Sequence, residues 1–381
     1  MPPIMGAAAF LMAEYMGVTY GQVTLWAILP AVLYFGGIFI SVHLEAKKLG
    51  LKGIPRSELP RFKYLIRNVY LLLPLVFLIW MVTANIRSLQ FSAAIAILIS
   101  IAVSLVGTIC DASAEVRETK TGSVAGITAK KTGRMILDSL EAGGKGSITV
   151  AVACAMAGMI AGCITVTGLA SKLISGVIAI SSAIPNPTLS LLLALFLTML
   201  CCIVLGMGVP TTANYCIMAS TCAPILITLG IPKVAAHFFV FYFGIVADIT
   251  PPVALAAYAG AAIAKAPPMK TALNATRLAI AAFIIPYIFA YNNAMIFVGD
   301  VTFFGVASIV ISATLGMASI ASGFMGYLIH DLKWYSRIAL IAGGLLMVIP
   351  GTVTDLAGLA ILIVILLIQR AENKKEKKAA V

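Results

Sequence analysis

Apolar positions along this chain gather into long runs, and the polar positions fall between them. Residues 1–16 are helical in pattern but too short to span, with Pro2 and Pro3 suited to a helix start. Residues 21–42 form a full run, near the ~20 residues that cross a ~30 Å hydrocarbon layer. The loop 43–67 carries Lys47, Lys48, Lys52, Arg56, Arg61, Lys63 and Arg67 against Glu45 and Glu58, and that basic excess places it in the cytoplasm. Runs at 68–86 and 89–109 make a tight pair with only Arg87 near the turn, so the chain goes out and returns. The mixed-charge segment 110–148 is then expected to be cytoplasmic, with the stretch Met135 to Leu140 lying on the membrane surface as an amphipathic helix.

The second half is more broken. Residues 149–171 cross outward, with Gly158 and Gly162 at a spacing that permits close helix packing; a short segment, 172–185, ends at Pro185 and Pro187. Two apolar arms, 189–205 and 213–229, flank Gly206-Met-Gly-Val-Pro-Thr-Thr212, a composition that predicts a hairpin tip within the membrane. A short helix, 233–247, runs into Ala247-Asp248-Ile249-Thr250-Pro251-Pro252, and another follows to Lys265. Together they predict one span interrupted near its middle, its far end marked as cytoplasmic by Lys265, Lys270 and Arg277. Runs at 278–297 and 304–329 go out and back. The last, 338–369, is split at Pro350-Gly351 into pieces of about 12 and 15 residues, and its basic flanks favour a re-entrant hairpin. The tail after Arg370 reads as a solvated basic end.

Composition agrees with the pattern. Of 381 residues, 61% are hydrophobic and 10% charged, with mean hydropathy +1.06, against about a quarter charged in a soluble domain. Lipid is the solvent for most of the chain. The formal charge of +12 invites a nucleic-acid reading, but the Lys and Arg residues lie between apolar runs, as on cytoplasmic loops, so no nucleic acid is expected. Seven cysteines at 110, 154, 163, 201, 202, 216 and 222 form no CxxC pair and read as small apolar packing residues. No GxxxxGK[ST] phosphate loop, nucleophile elbow, HExxH or paired intramembrane aspartates occur, so the chain is not expected to hydrolyse ATP or to be an enzyme. No signal peptide is visible at Met1-Pro2-Pro3.

Two stretches resemble each other: Pro2-Pro-Ile-Met-Gly-Ala-Ala-Ala-Phe10 and Pro251-Pro-Val-Ala-Leu-Ala-Ala-Tyr-Ala259, each followed by a span with a similar phrase around Pro30 or Pro286. The basic loops give the two units opposite orientations, a plan that recurs in secondary transporters. The breaks supply candidate chemistry, because they free backbone groups that must be satisfied by protein or a watery cavity. Gly206, Gly208, Val209, Pro210, Thr211, Thr212 and Asn214 at the tip, with Asp248, Ile249, Thr250, Pro251 and Pro252 at the interrupted span, offer the hard oxygen ligands that suit an alkali cation and a substrate. Asp248 reads as a functional carboxylate, as a cap for the following helix, or both. The bland alternative for both breaks is a packing kink. His237 is a hydrogen-bonded packing residue or a proton relay; Asp355 reads as a helix cap, and His43 and Glu45 as interfacial residues.

At GMGVPTTANY, GIVADITPPVALAAYAGAAIA and MPPIMGAAAFLMAEYMG, with VHLEAKKLGLKGIPRSELP after the first span, nearly the whole chain resembles the large membrane permease of tripartite ATP-independent periplasmic (TRAP) transporters. It is most similar to the type that fuses small and large subunits and works with a TAXI-class receptor. The resemblance implies an all-α integral membrane, inverted-repeat, elevator-type secondary transporter with helical hairpins and broken helices. It implies sodium as coupling ion with no other cofactor or metal, an extracytoplasmic TAXI-type solute receptor, a small carboxylate solute, small-subunit spans, and a bacterial or archaeal cytoplasmic membrane with the C-terminus inside. The second hairpin tip falls at Gly206 to Asn214 and the second unwound segment at Asp248 to Pro252; Pro2 and Pro3 are the edge of the first. The chain departs from the pattern at its beginning, where the small-subunit spans, the first hairpin and the first half-helix are missing. The first repeat is therefore expected to be incomplete and the chain inactive alone. The expected parts are 1–67, a first-repeat remnant with its span and loop; 68–148, a helix pair and linker; 149–297, the second repeat; and 298–381, a membrane extension and basic tail. The function that follows is the permease of a sodium-coupled symporter, the alternative being a non-transporting fragment or assembly protein.

Overall fold

A computed structural model describes residues 8–55, 58, 59, 66, 69–83, 89–119, 123–299, 302–348 and 351–379. The readings on Pro2, Pro3, Arg56, Arg61, Lys63, Arg67, Arg87 and Pro350 lie outside the described residues. Everything described is helix and connection, with no β-strand among the described residues. The chain is an all-α integral membrane protein: among the described residues six helices are long and apolar enough to cross a bilayer, and several apolar helices of 10–17 residues are not.

Helix α1 (Ala8–Met16) is a half-length segment, and α2 (Tyr20–Lys48) is a full span. Thr19 starts α2 through a reciprocal capping box with Gln22, which satisfies two orphan donors of the first turn. A 3-10 turn at Val69–Leu72 leads into α3 (Leu73–Thr83), followed by α4 (Leu89–Thr119) and α5 (Val124–Val166). Here the expectation of a separate surface helix at Met135 to Leu140 is corrected. Residues 124–148 continue without interruption into the next apolar stretch: despite five glycines they hold no proline, and Glu141 and Lys145 pair one turn apart. A 43-residue helix is about 65 Å long, twice the hydrocarbon thickness, so its charged half must project beyond the lipid tails. Gly158 and Gly162 are also corrected: no described side chain or backbone comes within 4 Å of either Cβ position.

After α6 (Leu169–Ser182), Asn186 caps α7 (Pro187–Gly206), whose first residue is the proline that suits a helix start. The return arm is α8 (Thr211–Thr221) with the short α9 (Ala223–Thr228). Half-helices α10 (Lys233–Ala247) and α11 (Leu255–Ala264) flank the expected interruption. An amphipathic α12 (Pro268–Leu278) then bends into α13 (Ile280–Tyr291). Gly37 of α2 meets Ala281 of α13, and Glu45 lies 3.9 Å from Arg277, so α2 and the α12–α13 span run antiparallel. The span after the first half-helix thus runs opposite to the span after the second.

The C-terminal helices are α14 (Phe303–Met325), α15 (Trp334–Leu346) and α16 (Thr352–Ala379). Lys333 Nζ lies 3.2 Å from Glu372 Oε1 and Leu340 packs with Leu362 and Ile365, so α15 and α16 form an antiparallel pair. The second arm is longer than expected: its apolar part, Thr352–Glu372, is 21 residues, enough to span, and the helix continues through the Glu- and Lys-rich tail. Asp355 is also corrected, because its carboxylate accepts from Ser312 Oγ at 2.6 Å instead of capping its own helix.

Packing among α14–α16 depends on glycine. A Cβ on Gly344 would sit 2.6 Å from Gly316 O and 2.5 Å from Ile320 Cγ1, whereas Gly36 has open space. Gly344→Val is expected to lower unfolding stability in detergent by about 1–3 kcal/mol, and Gly36→Val to leave the melting temperature unchanged. Equal melting of the two variants would contradict this packing.

Candidate functional site

Where a helix stops inside lipid, its last carbonyls lose their donors and each must find another. At the end of α10, Asp248 N bonds Ile245 O at 3.1 Å, Ile249 N bonds Val246 O at 3.1 Å and Thr250 N bonds Ala247 O at 3.3 Å. The helix has tightened to three-residue spacing, and Gly244 O is left without its usual donor from Asp248. Asn214, one turn into α8, supplies the replacement: its Nδ2 donates to Gly244 O at 2.8 Å and more weakly to Gly206 O at 3.5 Å. Gly206 is the last residue of α7. One buried amide therefore joins both arms of the hairpin to the interrupted span.

Two glycines make room for it. A Cβ on Gly206 would lie 2.8 Å from Asn214 Nδ2 and 3.1 Å from Ala247 Cβ; one on Gly244 would lie 3.2 Å from Asn214 Oδ1. Asn214 is 1% exposed, and its Oδ1 is buried without a hydrogen-bond partner. A buried amide oxygen left unmatched costs about 1–3 kcal/mol.

The remaining tip residues take distinct places. Gly208 turns with φ +75°, and its Cβ position is 3.7 Å from Val253 beyond the break. Val209 packs with Ile164 and Ala213. Pro210 precedes α8 and its carbonyl accepts from Asn214 N at 2.8 Å; Thr211 and Thr212 open the helix. Thr211 also borders a cavity of about 290 Å³ between α2 and α10, whose wall is apolar apart from the hydroxyls of Thr211, Tyr34 and Tyr242. The amino terminus of α8, with its unpaired first-turn amides, lies at this cavity.

Across from the tip, the unwound segment is almost fully accounted for. Asp248 O accepts from Ala256 N at 3.1 Å, Ile249 O from Thr276 Oγ1 at 2.9 Å, Thr250 O from Ala254 N at 3.2 Å, and Pro252 O from Tyr258 OH at 2.5 Å. The Pro251–Pro252 peptide is cis. Ala254 is held at φ 35°, a left-handed conformation that costs a non-glycine residue about 1–2 kcal/mol. The capping expectation for Asp248 is corrected, since its main-chain carbonyl meets the start of α11 and its side chain does not. Among the described residues no hydrogen bond or ion pair reaches that carboxylate. His237 is a packed residue, 3% exposed, with Nδ1 2.8 Å from Tyr215 OH. Cys163, Cys201, Cys202, Cys216 and Cys222 form no disulfide, and among the described residues no cluster of three metal-ligating side chains occurs.

The tip and the interruption, expected from separate sequence signals, thus touch. Sequence reasoning missed Gly244, Thr276 and Tyr258. Gly244 is legible as the lone glycine in the aromatic run from Phe238 to Ala247, but Thr276 sits on a polar helix face with no local signal.

A hairpin and an interrupted span meeting inside an all-helical membrane body define a transporter permease. The chain belongs to the DctM family: residues 1–304 match the family model described as the tripartite ATP-independent periplasmic transporter, DctM component. No curated relative and no solved structure matches it. The protein is accordingly a TRAP-type membrane permease, and the family implies an extracytoplasmic binding protein and a small membrane subunit as partners.

Asn214→Ala should lower unfolding stability by about 1–3 kcal/mol, because it strands Gly244 O. Denaturant unfolding in detergent reads this directly, and an unchanged midpoint would mean that the bridge does not form.

Proposed function

We propose that the chain is the permease of a sodium-coupled symporter that imports a carboxylated organic solute, handed over by a TAXI-type extracytoplasmic receptor, through elevator-like motion of the body bearing the hairpin and broken helix. The observation that carries this reading is the unmatched Asn214 Oδ1 between Gly206 and Gly244. It lies where the carboxyl ends of α7 and α10 both point, so negative potential and neutral oxygen donors converge on one spot. The Asp248 carboxylate follows directly on α10 and supplies the formal charge that a cation needs. Half-helix carboxyl ends serve cations and half-helix amino ends serve anionic substrate groups in broken-helix transporters. The amino terminus of α8, beside Thr211 and the cavity, suits the solute carboxylate in the same way. In this reading Gly206, Asn214, Asp248 and neighbouring carbonyls hold sodium; Thr211 and Thr212 face the solute; and Ile249, Thr250, Pro251 and Pro252 shape the break.

Sodium at about 100 times its dissociation constant stabilises a protein that binds it only when folded by about 2.7 kcal/mol. The melting temperature should therefore rise in sodium over choline at equal ionic strength, and the rise should disappear in Asp248→Asn. The permease reconstituted with its small subunit and receptor should take up solute along a sodium gradient. Uptake that ignores sodium and follows protons would overturn the coupling.

A further inference from the structure

Residues beyond 304 lie outside the matched family region, and the site gives them no role. We propose that α14–α16 are a rider, fixed to the site-bearing body and moving with it, instead of standing with α3 and α4. The inference rests on the elevator reading and goes beyond it by assigning the C-terminal helices to the mobile side.

Three independent contacts support a rigid attachment. The first is a shared core: Ala313, Met317 and Ile320 of α14, with Val348, belong to the same contiguous buried cluster as Leu195 of the hairpin, Phe239 of α10 and Ile285 of α13. Among the described residues none of α3, α4 or α5 is a buried member of that cluster, and only 6% of the apolar window of α4 is buried. The second is close approach. A Cβ on Gly37 would be 2.4 Å from Ala281 Cβ and 3.5 Å from Met317 Sδ, so α2, α13 and α14 interlock at one point.

The third is electrostatic. The last carbonyls of α14 carry the negative end of the helix dipole, and three cations from three elements cover them. Arg277 Nε of α12 donates to Phe324 O at 2.9 Å, Lys48 Nζ of α2 donates to Met325 O at 2.8 Å, and Arg337 of α15 donates to Gly323 O at 2.9 Å and Phe324 O at 3.3 Å. Charge-assisted bonds of this kind are directional, and a slide of one helical turn between α14 and α2 would break the Lys48 and Arg277 bonds together. At the other end, Ser312 of α14 bonds both Met347 O, at 3.1 Å, and Asp355, at 2.6 Å, which holds α15 and α16 to the same helix. A surface along which two bodies slide does not bear interlocked small residues and converging charged bonds at fixed register. The seam for relative motion therefore lies on the α3–α4 side.

The test measures pairwise distances by electron spin resonance, with labels on p-acetylphenylalanine replacing the exposed Leu98 of α4, Leu189 of α7 and Val364 of α16. The permease is reconstituted with its small subunit and receptor and compared in sodium and choline. The expected result is a constant 189–364 distance, while 98–189 and 98–364 both shift by about a helical turn or more. A constant 98–364 distance with a changing 189–364 distance would place the rider on the stationary side and overturn the proposal. If 98–189 does not change in any condition, the elevator reading itself has failed, and the rider falls with it.

Discussion

Lipid offers no water to a carbonyl that has lost its helical partner, and the architecture around Asn214 is organised by that constraint. Each helix that stops in the membrane creates acceptors that something must satisfy. At the end of α10 the acceptor is Gly244 O and the donor is Asn214 Nδ2. That choice fixes the rest, because the amide needs glycine at 206, where a Cβ would lie 2.8 Å from it, and leaves tight room for a Cβ at 244. Its geometry requires the hairpin tip to lie on the break, which in turn aims Thr211 at the cavity. The same amide that solves the donor problem leaves its oxygen unmatched. Satisfying the backbone and creating a vacant acceptor are one event.

The second unit was largely legible in the sequence because its signals are chemical and local. Gly206 to Thr212 and Asp248 to Pro252 carry glycine, proline and a lone acid inside apolar runs, and the helices end within a residue or two of those marks. The polar half of α5 was not legible, since charge marks solvent exposure without deciding between loop and helix. A helix that leaves the bilayer and stays helical has the same composition as a loop with helical propensity. Nor does spacing reveal partners. Gly158 and Gly162 match a packing motif and touch nothing described, whereas Gly37, Gly316 and Gly344 lie at real contacts, and only the fold distinguishes them. Thr276 and Tyr258 were missed for a related reason: each serves a carbonyl in the unwound segment from a neighbouring helix, and nothing in their own surroundings marks that service.

Basic residues play two parts that their count conceals. Most lie between apolar runs, where they orient the chain. Lys48, Arg277 and Arg337 also occupy carbonyls at the end of α14, so residues that read from sequence as topology markers also join α2, α12 and α15 to one helix terminus. Their aliphatic stems can lie along apolar surface while the charged heads reach the interface, which lets one residue do both.

On the sodium reading, the charge arithmetic explains why the carboxylate belongs at the break and not elsewhere. A fixed negative charge carried across a bilayer interacts with the membrane potential by about 2.3 kcal/mol per 100 mV, in addition to the cost of removing it from water. With Asp248 empty the moving body carries that penalty, and a carboxylated solute alone would deepen it. One cation at Asn214 and Asp248 cancels the Asp248 charge; the solute carboxylate brings a second negative charge, so a neutral loaded body needs two cations. Charge balance therefore favours crossing with cations bound over crossing with the solute alone. The Asp248 side chain, half-buried and without a hydrogen bond or ion pair among the described residues, follows the helix whose Gly244 carbonyl Asn214 serves. On the same reading, the buried unmatched Asn214 Oδ1 is a liability in a static core and an asset in a site that takes up an ion.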